Sequence, residues 1–92
     1  MKKKKLYLRE ETAEKFDLPG EIVAGMPKVT VTGCRRVYIE NHRGILEYGK
    51  ERININGGRV IIKISGENLC IKGMSGKELI VMGDIIGIEF ER

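Results

Sequence analysis

Ninety-two residues leave room for one hydrophobic core and no second lobe, and 41% apolar with 33% charged residues is too apolar for a disordered chain. No run reaches the roughly 18 to 20 apolar residues of a membrane span, and no apolar secretory segment follows the lysine-rich start, so a cytosolic protein without a transmembrane segment is expected. One histidine, two cysteines and no tryptophan supply few parts for nucleophilic or metal chemistry, so the expectation is a protein that is not an enzyme and carries no cofactor.

The net charge of +4 is uneven. Lys2, Lys3, Lys4, Lys5 and Arg9 make the first nine residues +5, whereas Glu10, Glu11, Glu14, Asp17 and Glu21 against Lys15 make residues 10–27 −4. The remainder, residues 28–92, carries +3. The basic excess is therefore largely a terminal tail whose charge the next segment cancels.

In chain order, Leu6 to Phe16 (LYLREETAEKF) is rich in good helix formers without internal Gly or Pro, which predicts a short helix of two or three turns. Asp17-Leu18-Pro19-Gly20 stops it, and Pro19 can open a second turn closed by Gly25. Leu6, Phe16, Leu18, Ile22 and Val23 are the apolar contacts that would dock this arm, since so short a helix is marginal alone. The chain changes character at Met26-Pro27, giving a basic tail and helical arm over residues 1–27 and an all-β domain over residues 28–92.

From Val29 onward the hydrophobic period is two. A unit of alternating apolar residues ending in Gly or Asn starts at Val29, Val37, Ile45, Ile53, Ile62, Leu69, Leu79 and Ile88. That spacing predicts about eight short strands joined by tight turns, with Asn56-Gly57-Gly58 the clearest turn. Alternation puts Val29, Val31, Val37, Ile39, Ile53, Ile55, Ile62, Ile64, Leu69, Ile71, Leu79, Val81, Ile88 and Phe90 on the buried face, and Thr30, Thr32, Glu40, Asn54, Asn56, Lys63, Ser65, Lys72 and Glu89 outward. With no helix between strands, the reading is a mainly β fold, a small antiparallel meander forming a sandwich or roll. The near-equal units leave a compact β-solenoid as the alternative.

Cys34 and Cys70 lack CxxC spacing, and with His42 they fall short of four zinc ligands, so two reduced thiols are expected. His42 lies in Glu40-Asn41-His42-Arg43-Gly44 between two strands; no nucleophile is placed beside it, which makes it a turn-bracing or partner-contacting residue. The glycines are scattered one per turn and form no phosphate loop. Lys2 to Lys5 could meet lipid headgroups or nucleic acid phosphates, or serve as a solvated tail. Nucleic acid is not the expected partner, because the strands offer few aromatic platforms for stacking bases. Two other readings stay open: a small basic nucleic-acid-binding module, and a self-associating β scaffold.

Asp17-Leu18-Pro19, Met26-Pro27 before Val29-Thr30 and Gly33, Tyr38-Ile39-Glu40-Asn41-His42-Arg43-Gly44-Ile45, and Gly83-Asp84-Ile85-Ile86-Gly87-Ile88-Glu89-Phe90-Glu91 together resemble the YqfC-like sporulation proteins of the wider YabP/YqfC family of endospore-forming Firmicutes. The IENHRGI block is the most specific part, since strand alternation does not dictate its polar residues. The MKKKK start and the stretch from Gly49 to Arg59 depart from the pattern. The resemblance implies a non-enzymatic protein of the mother cell during endospore formation. It also implies a protein partner, an integral membrane sporulation protein often encoded beside family members, and a place at the forespore membrane. On this reading Glu40 to Gly44 either brace the sheet or touch the partner.

Overall fold

A computed structural model describes residues 25–92. The lysine tail and the helix expected over residues 6–16 lie outside the described residues. Six strands form: β1 (Lys28–Thr32), β2 (Arg36–Glu40), β3 (Ile45–Tyr48), β4 (Arg52–Asn56), β5 (Ile61–Met74) and β6 (Glu78–Glu91). They make one open sheet in the order β1-β2-β6-β5-β4-β3, every neighbouring pair antiparallel. Antiparallel pairing throughout excludes the solenoid, whose coils stack in parallel.

Four of the expected strands appear where the alternation puts them, and the other four units fuse in pairs. The units from Ile62 and Leu69 are one strand, β5, and those from Leu79 and Ile88 are one strand, β6. Gly66 and Gly83, read as turn glycines, are instead bends inside long strands. The register slips at Ser65/Gly66, Glu67/Cys70 and Ile71/Gly73, and such bulges curve the strand that carries them. A Cβ on Gly66 would overlap the carbonyl oxygen of Asp84, and one on Gly83 (φ +143°) would lie 2.7 Å from the carbonyl oxygen of Asn68. Glycine is needed here because one bent backbone passes directly over the other.

The bend divides the sheet in two. One half holds β1, β2, the start of β6 and the end of β5; the other holds β3, β4, the start of β5 and the end of β6. Val37, Ile39, Leu79 and Val81 from the first half join Ile53, Ile55, Ile62 and Ile64 from the second in one core cluster, with Leu69 at the bend and none of them more than 2% exposed. The sheet is thus folded over its own apolar face. A pure meander is not formed, because β2 pairs with β6 and residues 41–44 cross from one half to the other.

The expected core needs four corrections. Val31 is 48% exposed and Phe90 55%, since β1 and the end of β6 are edges with no strand beyond them among the described residues. Val60 and His42, each 4% exposed, are buried although neither falls on the strand alternation. Val60 is held by the β4–β5 turn, where its carbonyl accepts the Gly57 N–H at 2.8 Å. In that turn the Asn56 side chain also accepts the Gly58 N–H at 2.8 Å.

The β1–β2 turn puts Gly33 at φ 60° and Cys34 at φ 58°, with Arg35 N–H donating to the Thr32 carbonyl at 3.1 Å. Two consecutive positive φ values suit a hairpin turn but burden a side chain at the second. Cys34→Gly is therefore expected to raise stability by about 0.5–1 kcal/mol, read as a higher denaturant midpoint at unchanged slope. The turn is also pinned to the bend. Gly83 N–H donates to Arg35 O at 3.1 Å and Ile85 N–H to Cys34 O at 2.9 Å, and the Arg35 guanidinium pairs with Asp84.

Candidate interaction surface

The polar block that alternation does not explain, Glu40 to Gly44, is the crossover between the two halves of the sheet. Glu40 ends β2 opposite Lys28 on one side and Glu78 on the other. Asn41 then takes φ 68°, a conformation asparagine tolerates better than most residues. Its N–H donates to Lys77 O at 2.7 Å and its side-chain amide donates to Met26 O at 3.0 Å. Arg43 N–H donates to Asn56 O at 2.7 Å, and Gly44 O accepts from Asn56 N–H at 2.8 Å.

His42 is the buried centre of this link. Its Nδ1 accepts the Gly44 N–H at 2.9 Å, which assigns the ring proton to Nε2, and Nε2 donates to Ser75 O at 3.2 Å. The ring thereby ties the crossover to the tip of the β5–β6 hairpin. Ser75 secures that tip by accepting the Lys77 and Glu78 N–H groups at 3.3 and 3.0 Å on its hydroxyl. Asn41 and His42 spend these side-chain hydrogen bonds inside the fold. Arg43 stays exposed, its side chain lying across the Gly58 turn, and it alone of the three presents its charged group to an incoming molecule. The link and the hairpin tip together line an open groove of about 420 Å³.

The other candidates are not brought together. Lys2 to Lys5 lie outside the described residues. Cys34 is exposed, Cys70 half-buried, and both are free thiols. Among the described residues no three His, Cys, Asp or Glu side chains gather where they could hold a metal ion, and no helix is long and apolar enough to cross a membrane.

A feature the alternation passed over is the unequal character of the two outer faces. On the second half polar pairs predominate beside the half-buried Ile61: Asn54 donates to Glu47 at 2.8 Å, and Lys63 pairs with Glu91 at 2.8 Å. On the first half Tyr38 lies opposite Ile80, and Met82 opposite Cys70, all half-buried on the outer face, with Met74 57% exposed on the neighbouring edge. Desolvation on this face, then the carboxylates of Glu78 and Glu40, hold the Tyr38 hydroxyl above its ordinary value of 10.0. The raised value favours the protonated hydroxyl in the folded state. A spectrophotometric titration should show Tyr38 ionising later than a free tyrosine, with the stability it contributes lost as pH rises through that later ionisation. The signal for this face was present in sequence: Leu79-Ile80-Val81-Met82 is apolar at the positions where the other units carry Thr, Asn or Lys.

Comparison with known proteins agrees with the resemblance. The family model described as the YabP family matches residues 24–92. The protein named "Uncharacterized protein YqfC" from Bacillus subtilis (strain 168) is 33% identical over 72 residues, covering 76% of this chain and 75% of the relative. No solved structure matches the chain. The match spans the whole sheet, including the crossover and both bends, and the chain belongs to the YabP family as a YqfC-like member.

Proposed function

We propose that this protein is a non-enzymatic interaction module of endospore formation, acting in the mother cell and recruited to the forespore membrane by an integral membrane sporulation protein. Family membership over residues 24–92 is the observation that carries this reading. The architecture supports it in two ways. The polar block of the crossover is largely spent on internal hydrogen bonds, which argues for scaffolding over chemistry. The outer face around Tyr38, Ile80 and Met82 groups half-buried apolar side chains on one face of the sheet, a composition that suits a protein partner.

Deleting the gene should lower the yield of heat-resistant spores under several sporulation regimes, and unchanged yield in all of them would sink the proposal. Within it, Ile80→Lys should abolish co-purification with the membrane protein while leaving the melting temperature near that of the parent, because residue 80 faces outward. A variant that still co-purifies at full yield would move the contact to another surface.

A further inference from the structure

The folded sheet has four edges among the described residues: β1, β3, the end of β5 and the end of β6. Natural sheets protect edges against pairing with other chains, and three of these four are protected. The end of β5 is covered, since Leu69 N–H donates to Lys50 O at 2.8 Å and Ile71 N–H to the Tyr48 hydroxyl at 3.3 Å. β3 is four residues long and bulged between Ile45 and Glu47. The end of β6 carries alternating charge, Glu89 and Glu91. β1 has none of these devices. Its five residues, Lys-Val-Thr-Val-Thr, pair with β2 in unbroken register, and its single charge stands at the first position. Val31 is 48% exposed, as Leu46 on β3 and Phe90 on β6 are at 55%, so it is the unbroken register, uncharged beyond that first position, that sets this edge apart.

We infer that β1 is the edge through which two copies of this chain pair, antiparallel about a two-fold axis at Thr30. The strand is self-complementary in that register. Val29 faces Val31 of the second copy on the apolar side, Thr30 faces its own equivalent, and Lys28 faces Thr32, so no like charges oppose. Cross-strand pairs of β-branched residues and of threonines are among the favourable ones. One row of the joined sheet then runs Glu40, Lys28, Thr32, Arg36, from the register of β1 with β2. Lys28 keeps Glu40 as its neighbour, and Arg36 of the second copy stands two strand spacings away, about 10 Å, where salt screens most of the repulsion. The occupant is a second copy because the complementarity is of the strand with itself, and the contact is isologous and closes at two subunits.

The test is sedimentation of the full chain over a range of concentrations in physiological salt. The expected result is a species of twice the 10.4 kDa chain mass, and Val31→Lys, placing a charge on the apolar side of the edge, should weaken association by about tenfold or more. In a chain carrying Cys34→Ser and Cys70→Ser, Thr30→Cys should cross-link two copies on mild oxidation, while Leu46→Cys on the β3 edge should not. The cross-link decides the matter should the Val31 variant fail to fold. A monomer at every concentration, as when residues 1–24 or a foreign strand takes the edge, would overturn the inference. So would a dimer indifferent to Val31→Lys, or one that cross-links through residue 46 in place of residue 30. The inference does not depend on the sporulation reading: spore yield and co-purification can fail with the dimer intact, and the dimer can be absent from a working sporulation protein.

Discussion

Gly66→Ala should unfold the protein or come close to it, at a cost above about 3 kcal/mol. Gly66 is buried at the bend of β5, and its missing Cβ is what lets the backbone of β6 pass, since an added methyl carbon would overlap the Asp84 carbonyl oxygen. The obstacle on one side is the Asp84 backbone and on the other the core side chain of Leu69, 3.1 Å away, so moving Leu69 alone does not relieve the clash. The bulges at Ser65/Gly66 and Glu67/Cys70 also tie the local curvature to this position, so relieving the clash means opening the fold over the core. For a domain of this size each kcal/mol lowers Tm by roughly 4–8 °C, so the loss should exceed about 12 °C in a calorimetric melt. Gly76→Ala is the matched control: nothing lies within 4 Å of its added Cβ, and its Tm should stay near that of the parent. Equal melting of the two variants would mean that the halves are not held together at this bend.

The second large effect is expected at His42. Alanine there removes a ring only 4% exposed and with it the side-chain partners of Gly44 N–H, on a half-buried residue, and Ser75 O, on an exposed one. Two net hydrogen bonds of about 0.5–1.5 kcal/mol each are lost and the vacated ring volume adds to them, for a total of about 1–3 kcal/mol. Arg43→Ala should stay within about 0.5 kcal/mol, as for exposed positions generally. The pair of variants separates bracing from contact. His42→Ala should lose melting stability, and any loss of spore yield should follow that instability; Arg43→Ala should melt normally, and a loss of spore yield there would mark Arg43 as part of the partner surface. Normal melting of His42→Ala would remove the bracing role.

How far the sequence discloses this architecture depends on the range over which its signals act. Period-two alternation located Val37, Ile39, Ile53, Ile55, Ile62, Ile64, Leu79 and Val81 in the core, because strand geometry converts spacing directly into a face. It misread Gly66 and Gly83, since a glycine for a turn and a glycine for a close backbone crossing look alike in one dimension. The pairing of β2 with β6 was hidden too: hairpins are written in adjacent residues, while a contact between residues 37 and 81 has no local mark. The crossover was half legible. Asn41-His42-Arg43 stood out as polar residues that alternation did not require, yet the hydrogen-bond partners of His42, Ser75 and Gly44, emerge only when the β5–β6 hairpin folds beside the link. Edge exposure was likewise invisible, which is why Val31 and Phe90 counted as core.

Recruitment of this chain by a membrane protein during endospore formation is tested most directly by the position of a fluorescent C-terminal fusion in sporulating cells, with and without the neighbouring membrane protein. The expected result is a ring around the forespore that collapses to diffuse signal when that protein is absent. Diffuse signal in both strains, or signal over the nucleoid, would contradict it.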